Sequence, residues 1–194
     1  MAVHIMVDLE TAGTKVTSAV RSIGAVRFDP YASDPKTVPM PGGKDSFYTN
    51  VSLESCLKAG FTTDNSTMTW WASQPPEVQA ALNTPAPVPI TTALRALSDW
   101  CDSFSKGQQV VVWSHATFDV PILGYAYDLL GVPAPWKFYN CVDLRTFSRM
   151  TIGSPTLAGL DGVPSEGLHR ADYDAYRQAY AVVMVCREVS SRPW

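Results

Sequence analysis

The sequence predicts an α/β fold: a central mixed five-stranded sheet, its first three strands antiparallel, flanked by helices. Three observations carry this reading. The first 52 residues hold three strand-like runs joined by loops without helical pattern, which suggests an antiparallel meander. The rest of the chain alternates helical periodicity with two further short strand-like runs. With 194 residues, 46% hydrophobic and 17% charged, the chain is also long enough to bury a core and balanced like a globular protein. No internal repeat or linker-like stretch divides it, so residues 1–194 read as one domain.

Taken in order, residues 3–9 (VHIMVDL) form an apolar first strand, and residues 20–28 (VRSIGAVRF) a second, with Ile23, Val26 and Phe28 in imperfect alternation. A loop rich in Pro, Gly and Asp follows, then a third strand around SFYTNVS. STMTWWASQ predicts a helix with Ser66 as its N-cap; Pro75 and Pro76 end it and set the first turn of the next, PEVQAAL. Behind a Thr cap, TTALRALSDWCDSF places Leu94, Leu97, Cys101 and Phe104 on one helical face. VVVW (110–113) is a buried strand, and SHATFDVPILGYAYDLLG supplies a helix that closes at Gly131. Residues 138–144 (FYNCVDL) make the fifth strand. Ala171 to about Ser191 makes a long last helix.

Composition narrows the function classes. A net charge of −3 argues against a protein that coats nucleic acid through a large basic surface, while leaving room for one that grips a short strand end. No apolar run approaches the roughly 18 residues of a spanning helix, and the first fifteen residues lack the basic start and apolar core of a signal peptide. The expectation is a cytoplasmic protein with no membrane partner. Cys56, Cys101, Cys141 and Cys186 are scattered without CxxC or Cys/His pairing, so they read as buried apolar fillers rather than zinc ligands or disulfides.

Asp8 and Glu10 break the apolar first strand. Residues i and i+2 share a strand face, so two carboxylates lie side by side where repulsion and desolvation both oppose them. A D-x-E triplet alone is common on solvated faces, but at the end of an apolar strand a divalent cation is its natural partner. Asp119 follows a strand at the start of a helix, where Asp often serves as a simple cap; Phe118 and the following VPIL would hold it against the sheet. His169 and Asp174 are five residues apart, about 500° around a helix, and share no helical face. They converge only if His169 sits on a loop before the helix, which VPSEGL supplies. Four acids in one cleft require positive charge, and two Mg²⁺ or Mn²⁺ ions about 4 Å apart would supply it for phosphodiester hydrolysis.

These segments resemble the three motifs of the DEDDh exonucleases, the RNase T and DnaQ-like superfamily with its RNase H-like fold. VDLET carries Asp8 and Glu10 as the first motif, SHATFD carries Asp119 as the second, and HRADYD matches H-x-A-x-x-D with His169, Ala171 and Asp174. RSIGAVRFDP, TWWASQ, WSHATFDVPIL and DLRT further resemble the smaller group of Rv2179c-like 3′-to-5′ exoribonucleases and phage exonucleases. One departure is His115, where many relatives have Asn or Gly four residues before the second-motif aspartate.

The resemblance implies a 3′-to-5′ exonuclease acting on RNA or on single-stranded or overhanging DNA and releasing nucleoside 5′-monophosphates. Asp8 would bridge two metal ions, with Glu10, Asp119 and Asp174 completing their shells, and His169 would take the proton of the attacking water. The relatives place Thr11 and Ala12 beside the last nucleotide, where backbone meets the 3′ hydroxyl. Trp71, Trp70, Phe47 and Tyr48 are candidates for stacking on bases, with Trp71 the preferred one, and His115 is a candidate for substrate contact. Lys15, Arg145 and Arg170 are candidates for phosphate contact, against a bland reading as solvated charge. Relatives often dimerise, which brings a homodimer into view. Two other readings stay open: an RNase H-type endonuclease, against which the histidine of the third motif argues, and a non-catalytic nucleic-acid binding module, which should have lost at least one of the five residues.

Overall fold

A computed structural model describes residues 2–115, 117–157, 160–167 and 169–190. Its sheet has the order β3-β2-β1-β4-β5. Strands β1 (Val3–Thr11), β2 (Val20–Phe28) and β3 (Ser46–Asn50) form the expected antiparallel meander. Strands β4 (Val110–Ser114) and β5 (Cys141–Asp143) add to β1 in parallel. Helices α1 (Leu53–Lys58), α2 (Asn65–Ala72), α3 (Pro76–Ala81) and α4 (Ile90–Ser105) lie between β3 and β4; α5 (Asp119–Leu130) joins β4 to β5, and α6 (Leu144–Ile152) and α7 (Ala171–Ser190) close the chain. The predicted last helix residue, Ser191, lies outside the described residues.

The two-residue period of β1 divides the core. Ile5, Val7 and Leu9 enter one apolar cluster with Leu94, Leu97 and Cys101 of α4 and with Ile122 and Leu123 of α5. Met6 enters a second cluster on the other face, with Leu144 of α6 and Ala175, Ala179 and Val182 of α7. Asp8 and Glu10 continue the Met6 face, so both point to the α7 side. They sit at the carboxyl end of β1, beside the carboxyl end of its parallel neighbour β4, the position from which α/β sheets commonly present ligand groups.

Gly24 fixes how closely α7 approaches. It is the register partner of Asp8, and a Cβ at this position would stand 2.1 Å from the Ala171 carbonyl carbon. Only glycine lets the first turn of α7 rest on β2 there, and that turn carries Asp174.

Local details differ from the sequence reading for identifiable reasons. Helix α2 is capped by Asp64, not Ser66: the Asp64 carboxylate accepts from the amides of Ser66 and Thr67, and Ser66 lies inside the helix. Helix α4 has no Thr cap; Pro89 precedes it, and the Ile90 amide donates to Ser55 Oγ of α1 at 3.0 Å. The fifth strand is shorter than 138–144 because Asp143 turns to cap α6, accepting from the amides of Arg145 and Thr146. Helices α1 and α6 have no counterpart in the sequence reading. Cys56 and Cys101 are buried fillers as expected, whereas Cys141 and Cys186 are half-buried, and all four are free thiols.

Candidate active site

The site begins with the pair on β1. Carboxylate oxygens of Asp8, Glu10 and Asp174 lie within 4.8 Å of one another. Asp119, 1% exposed at the first position of α5, adds a fourth carboxylate within electrostatic reach of Asp8 and Glu10. Its orientation is fixed by backbone: the Leu9 amide donates to Oδ1 at 3.2 Å and the His115 amide to Oδ2 at 3.0 Å. Asp8 is held from the other side by Gln178 of α7, whose Nε2 donates to Oδ1 at 2.8 Å.

Like charge in a poorly hydrated place makes these acids reluctant to ionise. Burial first, then the charges of Asp119 and Glu10, push the Asp8 carboxyl well above the ordinary range, against the pull of Gln178 and Arg177. Burial and Asp119 push Glu10 up to about 7. Burial pushes Asp119 up to about 7 as well, although backbone amides and Arg145 favour its charged form. The cage of gathered carboxylates, Asp8, Glu10 and Asp174 with Asp119 beside them, supplies only hard oxygen ligands, the donor set that Mg²⁺ and Mn²⁺ prefer. Asp8, Glu10 and Asp174, with Asp119 beside them, thus fit a divalent-cation site, and positive charge there would offset the cost of ionising Asp8, Glu10 and Asp119.

His169 occupies the turn ahead of α7, as the five-residue spacing required, in the left-handed region at φ 60°. Its ring stands edge-on to Trp70 with centroids 5.0 Å apart, and Trp70 meets Trp71 in the same way at 4.9 Å. Burial, then the charge of Arg177, lowers the His169 pKa below its usual value, which favours the neutral imidazole that can accept a proton. Neighbouring Arg170 anchors this turn. Its Nε pairs with Asp172 Oδ1 at 2.9 Å, and its guanidinium lies 4.6 Å from the Tyr48 ring centroid.

Among the expected substrate contacts, the structure separates exposed groups from supporting ones. Trp71 is 5% exposed and its indole donates to the Thr11 carbonyl at 2.8 Å, so it braces the end of β1 instead of offering a face for stacking. The exposed ring is Trp70, at 41%. Ala12 is buried, with its amide donating to Ala19 and its carbonyl accepting from Asp64; Thr11 is buried with its hydroxyl on Gly13. Arg145 lies near Asp119 and reaches Thr117, while His115 borders the cage. Lys15 is exposed, Phe47 packs on Trp100, and Tyr48 sits under Arg170.

Two residues in the site were missed by the sequence reading: Arg177, which ion-pairs with Asp174, and Gln178. Both lie one turn beyond Asp174, at i+3 and i+4, so projecting the helical face of Asp174 forward would have found them. Beside them a cavity of about 330 Å³ opens, lined by Asp174, Arg177, Gln178, His115, Leu144 and Leu157 among others.

With this geometry in view, residues 3–186 match the family described as the 3′-5′ exoribonuclease Rv2179c-like domain. The chain belongs to that family. No curated protein matches it in sequence. Several solved structures resemble the fold of this Rv2179c-like domain, two of them nucleic-acid enzymes by name. One is zinc-bound ExoI of E. coli in complex with ssDNA, at TM-score 0.59 and 16% identity; 99% of the present chain is covered, but only 41% of ExoI. The other is the RNase domain of yeast Pop2, at TM-score 0.57 and 13% identity, covering 96% of the present chain and 76% of that domain. At such identities the likeness establishes the RNase H-like fold of the Rv2179c-like domain. Among its described residues no helix is long and apolar enough to cross a membrane.

Proposed function

We propose that this chain is one exonuclease domain that removes nucleoside 5′-monophosphates from the 3′ ends of RNA or of single-stranded or overhanging DNA. The observation that carries the reading is the convergence of Asp8, Glu10 and Asp174 within 4.8 Å, in a chain of an exoribonuclease family. Two divalent cations, Mg²⁺ or Mn²⁺, held by these residues and Asp119, would supply an activated water and charge stabilisation for the leaving 3′ oxygen.

The protein's own groups do the rest. His169, kept neutral by its surroundings, takes the proton of the attacking water. The water oxygen bonds to phosphorus, the bond from phosphorus to the 3′ oxygen breaks, the leaving oxygen takes a proton from solvent water to become the 3′ hydroxyl, and His169 gives its proton back to solvent. Gln178 and the Leu9 and His115 amides keep Asp8 and Asp119 in place throughout. Trp70, exposed beside His169, offers the terminal base a ring to stack on. We place the activity in the cytoplasm, in keeping with its four free cysteines.

The test is incubation of 3′-labelled and 5′-labelled single strands with Mn²⁺. Release of the 3′ label as mononucleotide together with a shortening 5′-labelled ladder is expected. Internal fragments from a strand blocked at its 3′ end would instead indicate an endonuclease.

A further inference from the structure

Arg177 has no part in the mechanism above, yet it stands inside the site. Its Nη2 pairs with Asp174 one turn back on α7, and it lies within electrostatic reach of Asp8 and Glu10. Its Nη1 donates to the Glu166 carbonyl at 3.0 Å. The side chain is 13% exposed, too enclosed for a solvated surface pair, and it forms part of the cavity wall with Asp174 and Gln178.

The Arg177 guanidinium occupies Asp174 Oδ1, an oxygen that a divalent cation at this carboxylate would also seek. A cation that takes this oxygen frees Nη2, while the Glu166 carbonyl retains Nη1 and keeps the group at the cavity wall. The freed Nη2 then has N–H groups to donate to a phosphate oxygen in a charge-assisted hydrogen bond. We propose that Arg177 is a phosphate-binding residue that exchanges Asp174 for the substrate: the cation displaces it from the carboxylate, and its N–H groups then bind an oxygen of the phosphate being cut. This rests on the exonuclease reading of the same site.

The exchange predicts opposite effects of a single substitution. Removing the guanidinium removes a rival of the cation and a ligand of the phosphate together, whereas a merely structural arginine would weaken both. The experiment uses Arg177→Gln and Arg177→Lys, titrated calorimetrically first with Mn²⁺ alone and then, in saturating Mn²⁺, with adenosine 5′-monophosphate, the kind of product that retains the phosphate. Arg177→Gln should bind Mn²⁺ at least about threefold tighter than the parent and the nucleotide about tenfold weaker. Arg177→Lys, which keeps the charge without the fork, should bind Mn²⁺ nearly as the parent does and the nucleotide several-fold weaker. Unchanged or weaker Mn²⁺ binding by the Gln variant, or parental nucleotide binding by either variant, overturns the proposal. Because calorimetry needs no turnover, a chain without nuclease activity would refute the exonuclease reading while the Mn²⁺ comparison still judged Arg177.

Discussion

Asp8 is drawn toward Gln178 and repelled by Glu10 and Asp119, so its substitution should have two effects of opposite sign. Asp8→Ala should lower turnover by at least about a thousandfold through loss of the proposed central cation ligand. With cations chelated at alkaline pH, the same variant should melt no lower than the parent, because one repelling charge is gone. Parallel activity and melting measurements check both. His169→Ala should lower kcat by roughly a hundredfold or more while leaving Mn²⁺ affinity in titration calorimetry unchanged, since in the proposed mechanism the imidazole acts on water. Asp8, Glu10, Asp119, His169 and Asp174 were candidates in the sequence because their segments resemble the three exonuclease motifs, and the structure gathers the carboxylates of Asp8, Glu10 and Asp174. Arg177 and Gln178 were not, since on its own an Arg-Gln pair on a helix reads as solvated surface. Trp70 and Trp71 show another limit: adjacent rings point in different directions, and only the hydrogen bond to Thr11 reveals which one is buried support.

Among the elements, α7 and β2 set the geometry, since Gly24 lets the first turn of α7 sit against the strand beside Asp8. Gly24→Ala should force that turn outward, costing about 1–3 kcal/mol in urea unfolding by overpacking and reducing kcat because Asp174 moves with the helix. Parental activity and stability in this variant would show that α7 is not seated through Gly24. The strands β1 and β2 were readable from their apolar runs, α5 from its closing Gly131 and α7 from its length. What was missed depended on contacts distant in sequence. The start of α4 is satisfied by Ser55, which no local cap rule anticipates, and α6 was hidden because Asp143 and Leu144 continue the pattern of the strand before them.

For the whole molecule, the raised carboxyl pKa values tie stability to pH, and the proposed cation site would tie it to metal. Asp8, Glu10 and Asp119 hold protons more tightly in the fold than ordinary carboxyls do, the latter two up to about 7. Their contribution to stability is complete below the ordinary carboxylate pKa near 4 and is lost as pH rises through about 7. With cations chelated, the melting temperature should therefore fall between pH of about 5 and about 8, and Mn²⁺ at the upper pH should restore it. A profile that rises over this range would show that the cage is paired without metal.

The central claim is that this cage gathers divalent cations at the phosphate of a 3′ end, and its most direct test is anomalous diffraction at the manganese edge from crystals grown with Mn²⁺ and adenosine 5′-monophosphate. We predict anomalous peaks ligated by Asp8, with Glu10, Asp119 and Asp174 around them and the nucleotide phosphate adjoining. Manganese and nucleotide bound elsewhere, with the four carboxylates unligated, would contradict the account.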